Sequence, residues 1–381
     1  MADPNIWAEI DLAAIAHNVR ELRRVTRPEA LLMAVVKGDG YGHGAVAVAR
    51  TSLANGAAML AVARLEEGVA LRQAGFEVPI LVFGRPFADQ AEDLIRHHLI
   101  QSVLDLEDAE MLSGAARARG ATVAVHLKVD SGMGRLGLVP ASRPAGTLPS
   151  TVARAAAIAK LPGVRLGGVF THFAAADRAD KTFARLQFDV FTAFLEALER
   201  AGIDPGLRHA ANSAAVIDLP HTHLDAVRPG IALYGLYPSP EVDTTRVDLR
   251  PAIALKARVL QVKPVPAGSP VSYGMTWKAP RDTLIATVPA GYADGLSRRL
   301  SNRGRMLVRG RSAPIVGRVC MDLTMLDVGA IEGVAPGDEA VIIGRQGDQM
   351  ISADEMAGLL GTINYEVVFT NPLRVPKVYI G

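Results

Sequence analysis

Cysteine occurs once in these 381 residues, at Cys320, which excludes an intramolecular disulfide framework and any metal site built on several thiolates. A dominant charge is missing as well: 41 Lys and Arg against 39 Asp and Glu leave a net charge of +2. That balance argues against an electrostatically driven binder of nucleic acid or membrane, because such proteins concentrate one sign of charge. No apolar run reaches membrane-spanning length, and the N-terminus MADPNIWAEIDL has neither a basic n-region nor an apolar h-region, so a reducing cytoplasm is the expected home. No internal repeat is visible. What the chain has is bulk, since 381 residues with 49% hydrophobic content can bury a large core and exceed the usual size of one domain.

One stretch organises the rest. Leu31 to Gly44, LLMAVVKGDGYGHG, is an apolar run of strand length that delivers Lys37 into a glycine-rich turn, as for a strand buried on both faces of a parallel sheet. Ligands bind at the ends of such strands. Desolvation there lowers a lysine's pKa and exposes a neutral, nucleophilic amine, which favours Schiff-base chemistry with an aldehyde, pyridoxal phosphate above all. An isolated strand-end lysine more often snorkels into water. Here Gly38, Gly40, Gly42 and Gly44 permit close approach to a phosphate and positive φ, and Tyr41 and His43 add polar side chains to the same turn.

Along the chain, Ile6 to Ile10 reads as a strand, and Asp11 then caps a helix with Ile15, Val19 and Leu22 on one face. After the Lys37 strand, helical stretches alternate with apolar runs at Met59 to Val62, Ile80 to Phe83, Ser102 to Leu104, Val123 to Val129, Arg165 to Thr171, Arg208 to Ala211 and Asp225 to Val227. That count suits a (β/α)8 barrel, with a doubly wound open sheet as the rival. The barrel is favoured by polar residues just beyond successive runs: Lys37, Lys128 with Arg135, His172, Asn212 with Ser213, and Arg228. Near Tyr237 the composition turns to proline and acidic residues, as in a linker. Beyond it come β-branched runs, Ala254 to Val262, Leu284 to Val288, Met306 to Val308, Pro314 to Val319, Thr324 to Val328 and Ala340 to Ile343, with helical character only at Ala353 to Leu360. The expected division is a barrel over 11–237 and a mostly β domain over 238–381, joined by strand 1–10.

Gly132 to Gly137 fits GxGxxG, and Gly42 to Ala47 fits its looser form. Pro140, Pro144, Gly146 and Pro149 follow the first at once, leaving no helix N-terminus for a pyrophosphate, and a cofactor lysine accounts better for the second. The arginines at Arg298, Arg299, Arg303, Arg305, Arg309 and Arg311 read as a solvated hairpin.

The segment AVVKGDGYGHG resembles the cofactor-lysine segment of the alanine racemases, and HLKVDSGMGRLG, THFAAAD, HAANSAA, RPGIALYG, VSYGMTW, GYADG, GRVCMDLTMLDV and TINYEV extend the resemblance over nearly the whole chain. It implies that Lys37 binds pyridoxal 5'-phosphate covalently and that Tyr41, Ser213, Gly230 and Ile231 contact its phosphate. Arg135 is expected near the cofactor's phenolic oxygen and the substrate carboxylate, and Lys128 matches a position often carbamylated in the family. His172 and Asn212 belong to matching strand ends, and Arg228 corresponds to the partner of the pyridine nitrogen. Tyr273 resembles the second base, Met321 offers its amide to the substrate carboxylate, Tyr292, Cys320 and Asp322 line the site, and Tyr365 matches an entrance tyrosine on the cofactor side. No metal is implied.

An arginine facing the pyridine nitrogen leaves that nitrogen unprotonated and the ring a weaker electron sink, which favours return of the proton to Cα. Decarboxylases of this architecture are expected to use a carboxylate there. The resemblance therefore implies racemisation of alanine by two bases, Lys37 and the partner chain's Tyr273, in a homodimer with shared sites, supplying D-alanine for peptidoglycan. A phenol with an ordinary pKa of about 10 is a poor base at neutral pH, so nearby cations such as His172 and Arg228 are expected to lower it. The alternatives are a racemase of other amino acids, a decarboxylase on the same scaffold, and a non-catalytic carrier of pyridoxal phosphate. A carrier has no need of Tyr273, Cys320 to Asp322 or the second domain.

Overall fold

The computed structural model describes residues 4–140, 147–369 and 374–381; the prolines and alanines read at 141–146, and part of the C-terminal segment, lie outside them. The chain divides into two compact units, Ile15–Gly40 with Ala45–Arg250, and Met1–Ala14 with Tyr41–Gly44 and Pro251–Gly381.

In the first unit, among the described residues, eight parallel strands close into a barrel: Leu31–Val35, Met59–Val62, Ile80–Val82, Ile100–Val103, Val123–Lys128, Val164–Phe170, Leu207–Asn212 and Ala226–Arg228. The expected barrel is the observed one, and the open sheet is not. Apolar residues fill both faces of these strands, so Leu32, Met33, Ala34, Leu60, Ala61, Ile80 and Leu81 are fully buried, as in a parallel sheet covered by helices. Helix Leu12–Val25 begins where the Asp11 carboxylate accepts the Ala14 N–H at 2.9 Å, and its Ile15, Val19 and Leu22 are buried as their spacing requires. The residues read as a linker pack onto the barrel unit: the Asn18 amide donates to the carbonyls of Leu233 and Arg250 at 3.1 and 2.9 Å.

After Val36 the backbone makes one left-handed turn, with φ of 62° at Gly38, 51° at Asp39, 62° at Gly40 and 51° at Tyr41. Left-handed helix is disfavoured for residues with a Cβ, so the turn is stabilised locally. The Gly40 amide donates to Val36 O at 2.8 Å, and the Asp39 carboxylate accepts the Ala45 N–H at 2.9 Å.

The second unit is mostly β. One sheet runs Arg311–Pro314, Arg305–Val308, Glu339–Gln346, Ile253–Arg258, Ile6–Asp11, Lys377–Ile380, with Gln349–Ile351 paired to Glu339–Gln346; a second runs Gln261–Val265, Thr283–Val288, Thr324–Asp327. Two expectations need correction here. The single run Ala254 to Val262 is two strands in different sheets, because the chain changes partner between Val259, whose amide bonds Asp338 O, and Leu260, whose amide bonds Thr287 O. The run Pro314 to Val319 is not a strand: pairing ends at Pro314, Ile315 makes one isolated bridge to Leu326, and Gly317 has φ 77°. The arginine-rich segment forms the expected hairpin, Arg305–Val308 with Arg311–Pro314. Besides helix Ala353–Leu360, a short helix spans Asn364–Val367.

Candidate active site

Strand ends of the barrel bring Lys37, Lys128, Arg135, His172 and Arg228 into one electrostatic neighbourhood. Burial, then the Arg135 charge, lowers the Lys37 pKa, while Glu67 opposes them. Lys128 is held well below the ordinary lysine value by burial and by the Arg228 and Arg135 charges, and its Nζ lies 4.5 Å from the centroid of the Phe170 ring. His172 is pushed well down by burial and by Lys128, Arg228, Arg135 and Lys37. It is therefore neutral at pH 7, which corrects the expectation that it serves as a cation.

Arg135 sits on a loop after strand Val123–Lys128 that one carboxylate shapes. Asp130 accepts the amides of Gly132, Gly134 and Arg135 at 2.9, 3.0 and 3.0 Å. The loop closes where Leu138 donates to Lys128 O and Asp130 to Leu138 O. Gly137, at φ 114°, lies so close that an added Cβ would meet Lys128 O at 2.6 Å.

Arg228 is 4% exposed, and its guanidinium is held from behind. Nη2 donates to Thr171 O and Ala210 O at 2.7 and 2.9 Å, and Nη1 donates to His209 Nδ1 at 2.8 Å. Burial brings its pKa down to about 9, so it remains cationic at neutral pH. Burial and neighbouring charges hold His209 well below the ordinary value and His126 down to about 3. Since guanidinium only donates, His209 Nδ1 must accept, its Nε2 carries the proton, and His126 Nδ1, 2.9 Å away, accepts in turn. Phe170 stacks on His209 at 4.8 Å and 5°.

The Asn212 side chain caps helix Ser213–Asp218 by accepting the Ala215 N–H at 3.1 Å. Ser213 Oγ accepts the Gly230 and Ala232 amides at 2.8 and 3.4 Å, which joins two backbone segments rich in N–H donors and leaves the hydroxyl hydrogen to donate. Ile231 begins the next 3-10 turn and is fully buried. The barrel unit thus offers an amine whose pKa burial lowers, a fixed guanidinium and a donor cluster, a set suited to an aldehyde bearing a ring nitrogen and a phosphate.

The remaining residues belong to the β unit. Tyr41 is buried, which raises its phenol pKa and keeps it a hydrogen donor; its ring lies 6.3 Å from those of Tyr365 and Phe369. GYADG and the Cys320 segment are zipped together: the Tyr292 and Ala293 amides donate to Cys320 O and Met321 O at 3.0 Å. A Cβ on Gly291 would meet Met321 O at 2.1 Å, so this approach requires glycine. Arg374 bridges Asp294 and Asp322 at 2.9 and 2.6 Å. Ser272, at φ 67°, donates to Arg318 O at 2.7 Å and lies 3.5 Å from Cys320 Sγ. Beside it Tyr273 is 72% exposed, Met321 52% and Tyr292 45%. A satisfied core tyrosine is thereby excluded for Tyr273.

Sequence reasoning missed Glu67, Asp130 as the organiser of its loop, and the His126–His209 pair. Glu67 occupies the third position of helix Leu65–Gln73, a capping position that helix-start rules could have flagged. Nothing in a single sequence pairs two histidines 83 positions apart.

Among the described residues no group of His, Cys, Asp and Glu is arranged to hold a metal, and no helix is long and apolar enough to cross a membrane. Comparison with known proteins matches residues 10–238 to the N-terminal domain of alanine racemase and 252–379 to its C-terminal domain. The alanine racemase of Desulfosudis oleivorans is 56% identical over 100% of this chain and 97% of its own, and that of Desulforamulus reducens 49% identical over 100% of both. The crystal structure of alanine racemase from D-cycloserine-producing Streptomyces lavendulae superposes with a TM-score of 0.93 at 42% identity, covering 100% of this chain and 98% of that one. With both family domains matched in order and the identity extending over the full length, the chain belongs to the alanine racemase family, enzymes that interconvert L- and D-alanine.

Proposed function

We propose that this chain binds pyridoxal 5'-phosphate through Lys37 and racemises alanine with two bases, Lys37 and Tyr273 of the partner subunit, in a homodimer whose two sites are shared. The observation that carries the reading is the Lys37 amine, depressed by burial and by Arg135, at the mouth of a barrel that also holds Arg228 and the Ser213 donor cluster. The barrel-unit residues fit the cofactor: Lys37 for the aldehyde, Arg228 for the ring nitrogen, and Ser213, Gly230 and Ile231 for the phosphate; Tyr41, Asn212, His172 and Tyr365 are assigned to the cofactor by the family resemblance. Pyridoxal phosphate, when bound, supplies an aldehyde for the substrate amine and a conjugated ring that spreads the charge left at Cα. Lys37 Nζ takes or returns the Cα proton on one face of the substrate, and the phenolic oxygen of Tyr273 of the partner subunit does so on the other. Arg135 and the Met321 amide hold the substrate carboxylate, and Tyr292, Cys320 and Asp322 support that edge.

Arg228 favours racemisation over decarboxylation, because a guanidinium cannot protonate the ring nitrogen as a carboxylic acid does. Lys128 is the candidate for carbamylation: burial and the Arg228 and Arg135 charges hold its amine well below the ordinary lysine value, and a carbamate would replace a disfavoured cation with an anion facing two guanidiniums. We infer a cytoplasmic role supplying D-alanine for peptidoglycan, which suits a chain with one cysteine. The test is to load the purified protein with pyridoxal phosphate, supply each L-amino acid in turn and separate the products on a chiral column. D-Alanine accumulating toward an equal mixture supports the reading. A primary amine and carbon dioxide in its place, or no product, contradicts it.

A further inference from the structure

We propose that Glu67 is a positioning residue for Lys37: its carboxylate, clamped at the start of helix Leu65–Gln73, holds the Gly38 amide and sets a negative charge against the lysine end of strand Leu31–Val35. The proposal rests on Lys37 being the reactive amine, and it concerns a residue outside every motif that carries the family resemblance.

One Glu67 oxygen accepts the Ala63 and Arg64 amides at 2.7 and 3.1 Å. This fixes the side chain from behind, as a capping carboxylate at the third helical position does. The other oxygen accepts the Gly38 amide at 2.6 Å. Gly38 is the first residue of the left-handed turn, at φ 62°, and it follows Lys37 directly. Three backbone donors converge on one carboxylate that joins two neighbouring barrel strand ends, and strand Leu31–Val35 pairs with Met59–Val62 in parallel. A helix cap alone has no use for the third bond.

Among the barrel-unit groups whose charge is coupled to Lys37 are Arg135, Glu67 and His172. Arg135 disfavours the ammonium and Glu67 favours it, so Glu67 helps keep Lys37 able to hold a proton as well as take one. An amine that must both accept and return a proton benefits from such a balance.

The experiment uses the full-length chain freed of cofactor, with the pH dependence of Lys37 acylation by trace acetic anhydride read by mass spectrometry, and amide hydrogen exchange at Gly38. In Glu67→Gln the charge is gone, and with the amide oxygen kept on Ala63 and Arg64 the Gly38 amide loses its acceptor. The expected result is a Lys37 titration midpoint lower by about half a unit, roughly a threefold larger reactive fraction below the midpoint, together with faster exchange at Gly38. Glu67→Asp keeps the charge with a shorter reach, so it should speed Gly38 exchange while moving the Lys37 midpoint less; it also serves if the glutamine variant folds poorly. An unchanged midpoint and unchanged exchange in Glu67→Gln overturn the proposal. Because these readouts need no cofactor, they are separate from the underlying reading, which fails instead if Lys37→Ala reconstituted with pyridoxal phosphate keeps full colour and turnover.

Discussion

At the scale of single residues, the site depends on burial deciding which groups carry charge. Arg228 keeps its charge because three acceptors surround the guanidinium, and one of them, His209, must be neutral to accept. Replacing Arg228 with Glu should allow protonation of a ring nitrogen held there, so racemisation falls and a larger share of turnover is lost to transamination. Pyruvate formed per D-alanine measures this, and an unchanged ratio removes the electronic argument. The neutral histidines also make stability depend on pH. His126 drops from an ordinary 6.5 to about 3 in the folded chain, so below 6.5 the unfolded state binds a proton that the folded state refuses. This stabilisation is complete above the unfolded value and is lost as pH falls through the window from 6.5 toward about 3. His209 and His172 shift in the same direction, each adding a slope of up to about 1.4 kcal/mol per pH unit. Urea midpoints should therefore decline from pH 7 to pH 5, and less steeply in His126→Gln. A flat profile contradicts buried neutral histidines.

At the scale of elements, loops position the chemistry and glycines permit the loops. Gly137→Ala would drive a Cβ into Lys128 O from a left-handed conformation, which should cost about 1–3 kcal/mol and release the Asp130 loop that presents Arg135. A lower melting temperature with a raised KM for alanine checks this; an unchanged KM would detach the loop from substrate binding. The same scale shows what a sequence yields. The barrel strands were legible from short, largely apolar runs recurring between helical stretches, and strand Leu31–Val35 with the glycines after it disclosed both the lysine and the turn. Strand Ile253–Arg258 was read through into Gln261–Val265 because a switch of sheet at Val259 and Leu260 needs no glycine or proline to mark it. The apolar run Pro314 to Val319 was misplaced as a strand because the paired residues before it, Arg311 and Ser312, are polar and exposed, so the apolar pattern starts where the ladder ends. Lys37, Lys128, Arg135 and Arg228 stood out as cations at strand ends. Glu67 and His209 did not, because their significance lies in bonds to amides and side chains distant in sequence.

At the scale of the whole molecule, the two residues proposed as bases lie in different units, Lys37 in the barrel unit and Tyr273 in the β unit. In the head-to-tail dimer proposed above, each site would take Lys37 from one chain and Tyr273 from the other. Large exposed apolar groups on the β unit, Tyr273, Met275, Tyr292, Met321 and Leu323, are the kind of surface that a partner covers. The measurement that bears most directly on this account mixes Lys37→Ala chains with Tyr273→Phe chains, exchanges subunits, and assays alanine racemisation in heterodimers verified by mass. Each parent homodimer should be nearly inactive. In the mixed dimer one site carries both lesions, while the other joins the intact Lys37 of one chain to the intact Tyr273 of its partner, so activity should return to about half that of the unmodified dimer. Heterodimers as inactive as their parents would contradict it, for every site would then draw both bases from a single chain.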